Sequence, residues 1–284
     1  MTPRGRAGFL AKDIDAILAA NRAVGRIELT AAVSGEATRR THVHEAGALR
    51  ARFPHVGARE LEVVLINTAG GMAGGDAFDL SVTARDRAEI VVTSAAAEKI
   101  YRSLGPDTRI GISLNVGPEA ALAWLPQETI LFDRARLTRT IDIALAKDAR
   151  IVLAEAVVFG RSGMGEVVAQ GKLLERWRLR REGRLVFADG IRFEGPVATK
   201  LDQRAMTAGA IAIATVLVAP ADERLAQSIR ELAQEGLCGE LAVSVWNGHA
   251  VTRLAAPDGA ALRHDLIRLL TAVRSGGLPR LWLN

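Results

Sequence analysis

After Gly25, apolar positions recur with a period of two along much of the chain, the pattern of strands with one buried face. Residues 26–30 alternate in this way, and residues 41–45 and 60–66 read as further strands. Phe78, Leu80 and Val82 share one face, as do Ile110, Ile112, Leu114 and Val116, and then Ile141, Ile143 and Leu145. Residues 88–94 form a β-branched run, and residues 150–159 a mostly apolar strand interrupted by Glu155. Residues 173–179 and 185–193 pair around Arg181-Glu182-Gly183, with Trp177 inward and Arg176, Arg178 and Arg180 outward. A hairpin spans residues 241–254, with Asn247-Gly248 at its turn, a dipeptide that tolerates positive φ.

The period lengthens in the last third. Leu225, Ile229 and Leu232 have helical spacing within residues 221–234, before Gly236 as a stop. Leu262, Leu266, Leu269, Leu270 and Val273 form the apolar face of a second helix over 259–274, ended by Gly276-Gly277. Phe9, Leu10, Ile14, Ile17 and Leu18 are spaced helically too, so residues 1–24 read as a helical or flexible N-terminal extension. No linker, low-complexity tract or fixed-period repeat divides residues 1–284, which read as one domain.

Three loops break this texture, and each ends in an acid. The first holds Gly70, Gly71, Gly74 and Gly75 before Asp76; the second follows Trp124 through Pro126 to Glu128; the third runs from Gly160 through Arg161 to Glu166. The first is no P-loop, because Asp76 stands where Lys-Ser/Thr would follow the last glycine. It is no dinucleotide fingerprint either, because a strand follows it and a carboxylate repels phosphate. Taken alone, the loop reads first as a plain strand-to-strand connection. Pro126 denies a ladder hydrogen bond, so an edge or bulge is expected there. Glu155 in an apolar strand faces water, has a partner, or lines a channel. Asp133 adds polar chemistry beside Phe132, and Tyr101 with Arg102 reads as an edge strand with a snorkelling arginine. His42 and His44 fall on one side of an extended segment, as a chelate requires, although two solvated imidazoles explain them as simply.

Composition narrows the classes. Hydrophobic residues are 49% of the chain, enough for a substantial core, but aromatics are only 4%, so aliphatic side chains must build it. The formal charge is +5. With no recognition helix or aromatic-interleaved basic strand, an acidic protein partner suits that charge better than nucleic acid. One cysteine, Cys238, rules out an intrachain disulfide and a Cys-rich zinc module. Asp13 and Asp15 interrupt any signal core, and no run is long enough to span a membrane, so the expectation is a reduced, cytoplasmic chain. No Gly-x-Ser-x-Gly or His-Glu-x-x-His occurs, and paired acids cannot be placed at glycosidase separation from sequence alone.

Four stretches taken in order carry a resemblance: Asn67-Thr68-Ala69-Gly70-Gly71-Met72-Ala73-Gly74-Gly75-Asp76, Glu98-Lys99-Ile100-Tyr101-Arg102-Ser103, Trp124-Leu125-Pro126-Gln127-Glu128-Thr129-Ile130 and Gly160-Arg161-Ser162-Gly163-Met164-Gly165-Glu166. Together with Pro279-Arg280-Leu281-Trp282 they resemble the urease accessory protein UreD (UreH) family over roughly residues 25–284. Thr68-Ala69 departs from the prolines usual there. The resemblance implies a mainly β fold of stacked sheets, sandwich-like or β-helix-like, with a few helices, two of them in the C-terminal third. It also implies no catalytic activity, no tightly bound cofactor, and nickel in transit. The implied partners are UreF, UreG through UreF, and apo-urease, with no nucleic acid and no membrane. Carried onto this chain, Asp76, Glu128 and Glu166 are relay candidates, with Glu155 and Asp133 as weaker ones. Gly70, Gly71, Gly74, Gly75, Tyr101, Arg102 and Arg161 would shape loops or meet partners. The competing class is a carbohydrate-active hydrolase using two of the same acids.

Overall fold

The computed structural model describes residues 22–54 and 59–283, so the helical or flexible N-terminal extension lies outside the described residues, but for its last three. In chain order the strands are β1 (Val24–Ser34), β2 (Ala37–Gly47), β3 (Leu49–Arg52), β4 (Leu61–Asn67), β5 (Ala77–Ala84), β6 (Glu89–Ser94), β7 (Glu98–Ile100), β8 (Thr108–Val116) and β9 (Ala121–Leu125). There follow β10 (Thr129–Leu131), β11 (Arg136–Leu145), β12 (Arg150–Phe159), β13 (Gln170–Arg181) and β14 (Arg184–Pro196). The short helix α1 (Val197–Leu201) leads to β15 (Ala212–Ala219), α2 (Glu223–Gln234), β16 (Glu240–Trp246), β17 (His249–Ala256) and α3 (Gly259–Val273). Strands hold 54% of the residues, so the expected mainly β class is met.

The strands make two stacked sheets. One is ordered β14-β13-β11-β8-β5-β1-β2; the other is β16-β17-β15-β12-β9-β6-β4-β3, with β10 and β7 attached beside β12. Between β4 and β13 the chain passes from one sheet to the other and back. Successive passes lay parallel strands in register, so the stacking is solenoid-like. Leu80, Ile112, Ile141 and Trp177 are neighbours across four strands of the first sheet. Val92, Trp124 and Leu153 do the same in the second. A one-residue slip would carry each of these side chains to the opposite face, so the buried ladder fixes the register.

Two cores result. The larger lies between the sheets and takes the inward alternates, among them Ile27, Leu29, Val82, Leu114, Ile141 and Trp177. The other face of the ten-stranded sheet is covered by α2 and α3, where Ala154, Ala156, Val216 and Val218 meet Ile229, Leu262, Leu266 and Leu269. Strands β12 and β15 are therefore buried on both faces, and β15 has no alternation to read, so period two gives no warning of it. The outer face of the seven-stranded sheet stays wet. Arg176 and Arg178 stand on it, and Arg178 pairs with Asp142 at 2.8 Å, a surface contact worth about 0–1 kcal/mol.

The long helices begin where Asp222 and Asp258 accept the backbone N–H groups of Leu225 at 3.0 Å and Ala261 at 2.8 Å. Each side chain satisfies an amide that the first turn leaves without a partner. After α3, Trp282 is buried in the helical core and donates its indole N–H to the carbonyl of Leu125 at 3.0 Å. Among the described residues, no helix is long and apolar enough to cross a membrane.

Candidate functional site

Alternation alone would place Arg139 and Glu175 inward. Arg139 has the parity of Leu137 and Ile141, Glu175 that of Leu173 and Trp177, and the two residues are paired across β11 and β13. Glu155 faces the same interior from β12, sharing the parity of Ile151, Leu153 and Val157. All three are almost completely buried. The Arg139 Nη1 lies 2.6 Å from Glu155 Oε2, and its Nε donates to Glu175 Oε2 at 2.8 Å. The remaining carboxylate oxygens are met by indoles: Trp124 donates to Glu155 Oε1 at 2.8 Å and Trp177 to Glu175 Oε1 at 2.7 Å. Arg139 also donates to Thr129 Oγ1 at 3.1 Å. Two carboxylates around one guanidinium leave the group with one net negative charge when both are ionised.

The protonation of Glu155 follows. Burial is the largest influence and pushes its pKa up; Arg139 pulls it down, and Glu175 pushes it up again. The balance stands at about 7. Glu155 therefore exchanges its proton near neutrality, unlike an ordinary surface carboxylate. Between about pH 4.5 and about pH 7 the folded chain holds this proton while the unfolded chain has released it. Stability contributed by the group is thus fully present below that window and declines as pH rises through it. Urea unfolding midpoints measured across the window are expected to fall more steeply for the wild type than for Glu155→Gln, and equal slopes would refute the assignment.

A cavity of about 340 Å³ leads to this group. Its inner wall includes Trp124, Thr129, Arg139 and Glu155; its outer end includes Gly70, Ala95, Ala96 and Lys99, all exposed. Glu98 also lines it, and burial raises the pKa of that carboxyl too, against the lowering effect of its 2.9 Å hydrogen bond from Asn67. Gln127 completes the wall. Its side-chain amide Oε1 accepts from Arg263 at 2.5 Å, and Arg263 donates to the backbone carbonyl of Leu281 at 2.9 Å.

The first glycine loop frames the outer end. Met72 donates its N–H to Lys99 at 2.7 Å, and Tyr101 returns one to Met72 at 2.8 Å, so the loop lies along β7. Tyr101 reaches over it and donates to the carbonyl of Gly70 at 2.9 Å. Gly71, at φ +143°, has no space for a side chain: a Cβ there would stand 2.5 Å from the Tyr101 ring. Tyr101 meets Phe132 edge-on at 5.1 Å, and Arg161 stacks over Phe132 at 4.3 Å. Around these rings are the exposed side chains of Arg102, Leu104 and Met164.

Of the five acids singled out from sequence, Glu155 lines the cavity and the other four do not. Asp76 is buried, and its oxygens accept backbone N–H groups from Ala23 at 2.9 Å and Ala73 at 2.7 Å, closing the glycine loop. Glu128 lies 3.7 Å from Arg263, whereas its neighbours Gln127 and Thr129 line the cavity. Glu166 pairs with Arg161 at 2.7 Å, and the neighbouring Asp133 accepts the N–H of Gln170 at 3.0 Å. The structure thus joins Glu166, Asp133, Arg161 and Tyr101 on one surface and leaves Asp76 and Glu128 apart from it. His42 and His44 both lie on β2, where His42 is 3.9 Å from Glu28. Arg139, Glu175 and Glu98 escaped the sequence reading; charges on an inward parity were the available signal for the first two.

Residues 23–283 match the family model described as UreD urease accessory protein. A urease accessory protein UreD of Rhodopseudomonas palustris (strain BisB18) is 49% identical over 269 residues, covering 95% of this chain and 97% of that protein. The protein of the same name from Bradyrhizobium diazoefficiens is 50% identical over 268 residues, covering 94% of this chain and 96% of its own length.

Proposed function

The chain belongs to the UreD family of urease accessory proteins, and from that premise we propose that it is a cytoplasmic urease-maturation scaffold, without catalysis of its own, that gives nickel a path between proteins. In this reading it joins UreF, and UreG through UreF, to apo-urease. The observation that carries the reading is the cavity running from the glycine loop to Glu155 between the two sheets.

The chemistry suits transfer better than storage. Carboxylates hold a borderline cation less firmly than thiolates or imidazoles, and a path must bind well enough to admit an ion and weakly enough to release it. Glu98 stands toward the outer end and Glu155 at the inner wall; burial disfavours the charged form of each, a penalty that an incoming cation would relieve. Glu175 offsets Arg139, so the guanidinium positions Glu155 without presenting a net positive barrier. Asp76, Glu166 and Asp133 serve this function by holding the loops that frame the opening. Tyr101, Leu104 and Met164, exposed beside it, suit a protein partner.

In co-expression with urease and its other accessory proteins, Glu98→Gln and Glu155→Gln are each expected to lower the nickel content of purified urease about tenfold, the effect of about 1.4 kcal/mol. UreF and urease should still co-purify with either variant. Full nickel loading by both variants would overturn the path; failure of the wild type to co-purify with UreF or urease would overturn the scaffold.

A further inference from the structure

A second group of ligating side chains lies in the helical layer, on the opposite face of the ten-stranded sheet from Glu155. Cys238, in the loop between α2 and β16, has its Sγ 3.5 Å from Nδ1 of His264 on α3. The same nitrogen lies 3.1 Å from Oδ1 of Asp265. All three donor atoms fall within 4.8 Å of one another. Cys238 and His264 are exposed, and Asp265 is buried beneath them.

A thiol, an imidazole and a carboxylate suggest either a nucleophilic relay or a chelate, and the geometry separates them. A relay needs the imidazole to face the thiol through one nitrogen and the carboxylate through the other. Here both partners converge on Nδ1, which a relay cannot use and a shared cation requires. With metal–ligand bonds of about 2.3 Å to sulfur and about 2.0–2.1 Å to nitrogen and oxygen, these separations subtend about 107° and about 97° at a common ion. Both angles are ordinary for a four-coordinate site.

The donors are also held in place. Asp265 accepts the backbone N–H of Cys238 at 2.9 Å through Oδ1 and that of Gly239 at 2.8 Å through Oδ2. One turn farther along α3, Arg268 donates to the carbonyl of Gly236 at 3.1 Å and pairs with Glu235 at 3.0 Å. The loop bearing Cys238 is thus fixed to the helix bearing His264 before any ligand arrives, which lowers the ordering cost of binding.

We propose that Cys238, His264 and Asp265 bind one divalent cation of the cobalt–nickel–zinc type. The thiol and imidazole select against magnesium and calcium, which take oxygen ligands. On binding, the metal–sulfur bond forms as the Cys238 thiol gives its proton to solvent, and solvent or a partner's side chain completes the coordination. The site is separate from the cavity and does not depend on the role assigned to Glu155.

The test uses the untagged full chain and cobalt(II) alone. One equivalent is expected to develop a near-ultraviolet thiolate-to-cobalt absorption, retained in Glu155→Gln and abolished in Cys238→Ser. His264→Gln should bind at least about tenfold more weakly, and circular dichroism should show both variants folded, since both side chains are exposed. Independently of any variant, saturating cobalt should slow alkylation of Cys238 by iodoacetamide, with no second thiol to confuse the reading. Absence of the absorption, together with equal alkylation rates with and without cobalt, would overturn the site, as would unchanged cobalt affinity in the two folded variants.

Discussion

Arg139→Met is expected to destabilise the chain by about 3–5 kcal/mol at neutral pH, the cost of leaving buried charge without its partner. Total stabilities of about 5–15 kcal/mol leave little after such a loss, so much of the variant should be insoluble. The physical reason is the arrangement between the sheets, where Glu155 and Glu175 both rest on one guanidinium and neither reaches water. Methionine fills similar volume but supplies no charge, so a carboxylate must either stay ionised in an apolar interior or take up a proton. The deficit should therefore shrink at acid pH, where Glu155 carries its proton in the folded and unfolded chain alike. Adding Glu155→Gln and Glu175→Gln to Arg139→Met should recover most of the loss. Urea unfolding at neutral and acid pH checks this; a deficit below about 1 kcal/mol, or one independent of pH, would show that the three groups do not act as a unit.

Trp282→Ala is the second large effect, at about 3–5 kcal/mol, in the range for removing a fully buried aromatic side chain. The indole fills the core under α3 and carries the hydrogen bond to Leu125, and Arg263 lies over the ring at 5.2 Å. Trp282→Phe keeps most of the packing and gives up the N–H, so it should cost nearer 1 kcal/mol. Thermal melts of the pair separate packing from hydrogen bonding. A Trp282→Ala variant that melts with the wild type would mean that the last turn contributes nothing to the helical core.

Much of the fold was legible because one face of most strands meets water. Arg26 to Ala31, Thr108 to Val116 and Thr140 to Leu145 alternate in sequence and in burial alike. Strand β15 was not legible, since helices cover its second face and remove the polar half of the pattern. The glycine loop announced itself, but its acid did not disclose its partners. Asp76 closes the loop on backbone amides, a role that depends on residue 23 coming near in space. Glu155 stood out as a charge in an apolar run. The guanidinium that meets it comes from the facing sheet, 16 residues away in sequence but set opposite only by the way the passes stack. Local pattern therefore identifies which side chains are inside; topology decides which of them meet.

The seven-stranded sheet ends on one side at β2, beside which no further strand pairs among the described residues, although Thr38 donates its N–H to the carbonyl of Arg59 at 2.8 Å. An open row of amides invites a second chain to dock edge-on and begin a fibre. Along that border the sequence sets Arg39, Arg40, His42 and His44, all exposed, within six residues. A similar border on another copy would bring the guanidinium groups of Arg39 and Arg40 against like charge, so self-association through this strand is opposed.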